Sequence, residues 1–71
     1  MKGFNHLVDS KIARISEAYA NKSGTTTTEA MAVFLDSVTY EVLNDKETGA
    51  YLEVFECVYD MFLEERGELV A

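Results

Sequence analysis

One cysteine, Cys57, and one histidine, His6, are all that this chain offers for covalent or metal cross-linking. The limit matters because the chain has only 71 residues. A domain near this size hides only about 60% of the surface that its unfolded form exposes. Such domains commonly lean on disulfides, metals or self-association. Cys57 has no partner for an internal disulfide, and a structural zinc site needs about four Cys or His ligands. Apolar packing must therefore stabilise the fold, with or without a second copy of the chain. A content of 48% hydrophobic and 27% charged residues is that of a folded domain rather than a disordered one. One domain spanning residues 1–71 is expected.

No apolar run of signal-peptide length follows Lys2, and the longest apolar stretch is the six residues from Ala30 to Leu35. A membrane span needs roughly 20. The unpaired Cys57 suits a reducing compartment, so a cytoplasmic location without membrane association is the expectation. Charge is unevenly placed. Residues 1–28 carry Lys2, Lys11, Arg14 and Lys22 against Asp9 and Glu17, a balance of +2. Residues 29–71 carry eleven acids against Lys46 and Arg66, a balance of −9. A surface this negative repels phosphate backbones and argues against nucleic-acid binding.

There is no proline, and glycine is sparse. Both facts suit helices. The first helix is expected from about Asn5 to Lys22. Phe4, Val8, Ile12, Ile15 and Tyr19 fall within an arc of about 80° on it, opposite Ser10, Arg14 and Glu17. Gly24 stands where a left-handed cap would end it. Thr26 and Glu29 have the spacing of a capping box, and a helix from Thr27 to about Asp36 should follow, with Met31, Phe34, Leu35 and then Val38 at helical spacing.

The stretch Ser37–Leu43 reads two ways. Val38, Val42 and Leu43 suit a short helix, whereas Val38, Tyr40 and Val42 alternate as in a strand. The turn signal Asn44–Gly49 leaves a hairpin over residues 38–54 as the alternative. A last helix is expected from Tyr51 or Val54 to Arg66, ended by Gly67. Glu53, Glu56, Asp60 and Glu64 would share one stripe. Tyr51, Leu52, Val54, Phe55, Val58, Tyr59, Met61, Phe62 and Leu63 would cover an arc of about 200°, wider than the stripe of slightly over 100° that a surface helix needs. That helix is either surrounded by its own neighbours or keeps a face for another chain.

No catalytic constellation emerges. His6 and Cys57 lie on different elements with no flanking motif, and Cys57 reads as a buried, inert thiol. The acidic stripe lacks the Glu-x-x-His pairing of carboxylate di-metal bundles. The Asn44–Gly49 turn fails as a calcium loop. Counted from Asn44, the third position is Lys46 and the twelfth is Phe55; counted from Asp45, the sixth is Ala50. No phosphate loop or dinucleotide fingerprint is present. No cofactor or metal is therefore expected. Residues Thr28–Leu43 resemble a helix-turn-helix core, but Ser37–Leu43 carries no basic residue to meet bases or phosphates.

Three stretches together look like those of small bacterial proteins of unknown function. They are Glu29 to Ser37, the pattern Thr39, Tyr40, Leu43, Asp45, Thr48 and Gly49, and the last helix to Met61 with Tyr51 and Tyr59. The resemblance covers about forty residues. It implies a cytoplasmic bacterial helical protein, encoded beside a partner such as a toxin, and it supplies no catalytic residues.

The resulting expectation is an all-α bundle of three to four helices acting as a non-enzymatic protein–protein interaction module, antitoxin- or adaptor-like. Its partner is another protein or a second copy of itself. The expected docking residues are the acids Glu53, Glu56, Asp60 and Glu64 with Tyr51, Val54, Val58 and Met61. The alternative is a helix-turn-helix-like regulator with little or no intrinsic DNA affinity.

Overall fold

Local capping sets most of the helix boundaries. The computed structural model describes residues 3–69 and contains four α-helices: α1 (Gly3–Ser23), α2 (Thr27–Leu35), α3 (Val38–Leu43) and α4 (Phe55–Glu65). Two short 3₁₀ turns, Lys46–Thr48 and Ala50–Leu52, join α3 to α4. The architecture is the expected small all-α bundle, with no strand among the described residues. At 1.5 Å per residue, α1 is about 31 Å long, and it accounts for most of the 36 Å long axis of the molecule.

α1 ends where Gly24 turns left-handed (φ 71°) and the Thr25 N–H reaches back to the Ala20 carbonyl at 3.1 Å. This six-to-one bond occupies a carbonyl that the last turn would otherwise leave open. α2 opens with the expected capping box. Thr26 Oγ1 accepts from the Glu29 N–H at 3.1 Å, and the Glu29 carboxylate accepts from the Thr26 N–H at 3.0 Å.

The hairpin alternative over residues 38–54 is overturned. Ser37 caps α3 by accepting from the Tyr40 N–H at 3.0 Å. The Glu65 carboxylate accepts from the N–H groups of Val38 and Thr39, each at 2.8 Å. Donors that a strand would offer to a neighbour are thus already bonded as helix caps. The Asn44–Gly49 turn closes on itself through Thr48 Oγ1, which donates to the Val42 and Asp45 carbonyls.

The last helix starts later than Tyr51. Lys11 Nζ donates to the Tyr51 carbonyl at 3.0 Å, taking the acceptor that the Phe55 N–H would use in a continuous helix. Glu53 and Val54 are extended (ψ 158° at each), and Val54 occupies the N-cap of α4. The expected 200° apolar arc is therefore divided between a 3₁₀ turn, an extended link and a shorter helix.

The core is organised around aromatic edges. Tyr19 meets Phe62 at 5.0 Å between ring centroids, Phe62 meets Phe34 at 5.0 Å, and Phe34 meets Tyr40 at 5.9 Å, all edge-to-face. Such pairs contribute about 0.5–1.5 kcal/mol beyond area burial. Ile15, Leu43 and Val58 fill the space around them with no exposed surface. α2 is rolled relative to expectation. Ala30 and Phe34 point inward, whereas Leu35 and Val38 are exposed. Small side chains at Ser16, Ala20 and Ala30, all buried, suit close approach of neighbouring backbones.

Ser16 is fully buried and its Oγ has no hydrogen-bond partner. A buried hydroxyl without a partner costs about 1–3 kcal/mol. Ser16→Ala should therefore raise the urea midpoint, by about 1 kcal/mol of stability; a clear loss on that substitution would contradict the packing described. Phe62→Ala, which removes the ring shared by two aromatic pairs, should cost about 3–5 kcal/mol in the same titration.

Candidate functional site

α4 places its side chains in two opposed sets. Val58, Phe62 and Leu63 face the core. Glu56, Asp60 and Glu64, spaced four residues apart, form an exposed outer ridge. Cys57 is exposed on this outer side, contrary to the expected buried thiol. At 100° per residue it falls beside Glu64, away from Phe62.

The structure divides the predicted docking residues. Val58 is fully buried and belongs to the core, so it cannot meet a partner. The expected arc does group Val58 with Phe62 and Leu63, but that part of the face is covered by the molecule's own core and is not left for a partner. Tyr51 is half-buried, with its ring edge-on to Phe4 at 4.8 Å. Met61 is half-buried. Glu53 is exposed but lies on the extended link rather than in the helical stripe. Val54 is 65% exposed, and beside it Leu52, absent from the predicted set, is 67% exposed. The residues that remain exposed are Leu52, Glu53 and Val54 ahead of α4, and Glu56, Asp60 and Glu64 along it. Leu52 was legible in the sequence as an apolar residue but was assigned to a helical face that does not exist.

Next to this surface, Phe55 and Tyr59 stack at 5.3 Å, and the Arg14 guanidinium lies 4.4 Å from the Phe55 ring centroid. Every Lys and Arg among the described residues is engaged within the molecule. Lys11 holds the Tyr51 carbonyl, Arg14 covers Phe55, and Lys46 lies 5.7 Å from the Phe4 ring centroid. Lys22 pairs with Glu68 at 3.7 Å, and Arg66 Nε donates to Tyr19 Oη at 2.7 Å and to Glu68 at 3.2 Å. Glu53, Glu56, Asp60 and Glu64 have no such cation: both ion pairs among the described residues go to Glu68. The outward field along α4 is negative.

The end of α4 ties this surface to the rest of the fold. Tyr19 Oη donates to Glu68 Oε2 at 2.6 Å, and the Arg66 guanidinium sits 5.5 Å from the Tyr19 ring centroid. The Tyr19 hydroxyl, helped by Arg66 and Lys22, holds the Glu68 carboxyl below the usual carboxylate range. For Glu65, partial desolvation opposes the charge, but the bonds from Val38 and Thr39 outweigh it and lower the pKa. Burial, with Tyr19 and Glu68 nearby, raises the Tyr59 phenol. The Tyr19 hydroxyl raises the Arg66 guanidinium.

A separate cleft of about 340 Å³ lies between α2 and the end of α4, lined by Ala32, Val33, Asp36, Ser37, Glu65 and Arg66. Most of its polar groups already have partners: Ser37 and Glu65 cap α3, and Arg66 binds Tyr19 and Glu68. No group of three His, Cys, Asp or Glu side chains among the described residues is placed to hold a metal ion. No described helix is long and apolar enough to cross a membrane. α2 and α3 are joined through Asp36 and Ser37, so a helix–turn–helix succession is present, but α3 has six residues and no basic side chain. Comparison with family models, curated proteins and solved structures finds no match to this chain.

Both carboxyls at the end of α4 have lowered pKa values, so their contribution is complete above the ordinary glutamate value of about 4.3 and is lost as pH falls below it. Urea midpoints measured from pH 7 down to about pH 3 should fall in that range. Tyr19→Phe, which keeps the ring on Phe62 but removes the bond to Glu68, should lower the neutral-pH midpoint and flatten the acid slope. An unchanged slope would show that Glu68 does not act through Tyr19.

Proposed function

We propose that this chain is a small, non-catalytic protein–protein interaction module, antitoxin- or adaptor-like, that docks through Leu52 and Val54 and the acidic ridge of α4. The observation that carries the reading is the pair Leu52 and Val54, each about two-thirds exposed, on either side of the exposed Glu53. Isolated apolar side chains on a surface need no explanation. Two so close, at the end of a 3₁₀ turn and on the extended link that follows it, with Glu53 between them and without an internal cation, form an apolar centre with a polar rim. Covering both side chains would contribute about 2–3 kcal/mol. The acids would act mainly on the rate and selectivity of encounter.

A helix-turn-helix regulator is the second reading, favoured only by the two-residue link between α2 and α3. Its recognition helix would be α3, which offers Thr39, Tyr40 and Glu41 and no cation to phosphate. A gel-shift assay at low salt, where weak phosphate contacts are strongest, is expected to show no retarded DNA.

The interaction reading is tested with the single cysteine. A photo-crosslinker attached to Cys57 should give a discrete protein adduct in host extract, and Leu52→Ser with Val54→Ser should abolish that adduct without changing the circular dichroism. Identical adducts from both proteins would reject the assigned surface.

A further inference from the structure

We infer that the occupant of the Leu52–Val54 surface is a basic amphipathic segment of another protein, and not a second copy of this chain; the inference rests on the docking reading above. Two observations select the occupant. The first is the disposition of charge. All five Lys and Arg side chains among the described residues already contact a carbonyl, a ring or a carboxylate of their own molecule. A second copy would bring to this surface the same acids, Glu53, Glu56 and Asp60, and each of its described cations would have to give up a contact within its own molecule to meet them. Two molecules of net charge −7 also repel at long range. A partner bearing lysines or arginines reverses both terms.

The second observation is area. Leu52 and Val54 together expose apolar surface on the order of 150 Å², whereas each side of a stable protein–protein interface contributes roughly 800 Å². Apolar burial at this point is too small to hold two like-charged copies together. It is enough to seat one or two apolar side chains of a short segment, with a cation beside them for Glu53 and further cations for the acids of α4. Successive acids on the ridge are four residues apart, or about 6 Å along the axis. That spacing suits basic residues repeated at one helical turn in the partner.

The experiment uses the full chain and a fluorescein-labelled Leu/Lys amphipathic peptide of about 15 residues, its Leu/Glu counterpart, and an uncharged Leu/Gln version. Anisotropy should report binding of the Leu/Lys peptide alone, weakening about tenfold or more between roughly 50 mM and 500 mM salt. Leu52→Ser with Val54→Ser leaves the net charge unchanged and should weaken binding at least about fivefold, a difference of about 1 kcal/mol. Asp9→Asn with Glu17→Gln, on α1, should change it less than about twofold. Equal binding by the wild type and the Leu52/Val54 variant would overturn the inference, because attraction would then be general rather than seated. Preference for the uncharged peptide would overturn the basic character of the partner while leaving the docking surface intact. Sedimentation showing a wild-type dimer that the Leu52/Val54 variant loses would also overturn it, making the second copy the occupant. A monomer that binds none of the peptides overturns the inference, and if it also gives no Cys57 adduct the docking reading fails with it.

Discussion

Four consecutive residues at the end of α4 hold three helices in place. Glu65 caps α3, Arg66 lies against the Tyr19 and Phe62 rings, Gly67 turns the chain left-handed (φ 73°), and Glu68 receives Tyr19 and Lys22 of α1. The turn itself is fixed by the Glu68 N–H bonding to the Leu63 carbonyl at 2.8 Å and the Gly67 N–H to the Glu64 carbonyl at 3.0 Å. That pattern leaves Glu68 facing α1 rather than continuing along α4. A six-residue helix such as α3 is far too short to persist alone. Its two caps, one local from Ser37 and one distant from Glu65, supply what its length does not. With one cysteine in the chain and no metal cluster among the described residues, this polar clasp and the aromatic series beneath it stand where a covalent staple would.

The same contacts determine what the outside looks like. The clasp and the α1 contacts engage Lys11, Arg14, Lys22 and Arg66. Of the basic side chains of α1, Lys22 pairs with an acid, Glu68, whereas Lys11 meets the Tyr51 carbonyl and Arg14 the Phe55 ring. The acids that do not take part, Glu53, Glu56, Asp60 and Glu64, lie outward along α4. Lys11 also bonds the Tyr51 carbonyl, just before the extended link of Glu53 and Val54, where Leu52 and Val54 stand exposed. The contacts that stabilise the fold thus also border the surface proposed for docking.

Elements governed by neighbouring residues were legible in the sequence. Gly24 and Gly67 end helices as their positions suggest, and Thr26 with Glu29 forms its capping box, because each depends on contacts within a few residues. The class of fold and the amphipathic face of α1 followed from periodicity for the same reason. The choice between helix and hairpin at Ser37–Leu43 was not legible, since it is decided by Glu65, 26 residues from Thr39. Of the two expected starts of α4, Val54 agrees with its place as the N-cap and Tyr51 does not, its carbonyl being bonded to Lys11 from 40 positions away. Val58 was read on the correct apolar side but lies too deep to reach a partner, and Cys57 was read as buried from its residue type although its helical angle places it beside Glu64. The acidic ridge was read correctly as a stripe, except for Glu53, which reaches the same surface from the extended link.

The central claim is that α3 and its neighbours are held by the end of α4. Native-state hydrogen exchange resolves it helix by helix, because local opening is read separately from global unfolding. In Glu65→Ala, amide protection in α3, at Val42 and Leu43, should fall about tenfold, the equivalent of about 1.4 kcal/mol and within the range for loss of a helix cap. Protection across Ala30–Phe34 of α2 should change much less. Unchanged protection in α3, or an equal loss in every helix, would contradict the account.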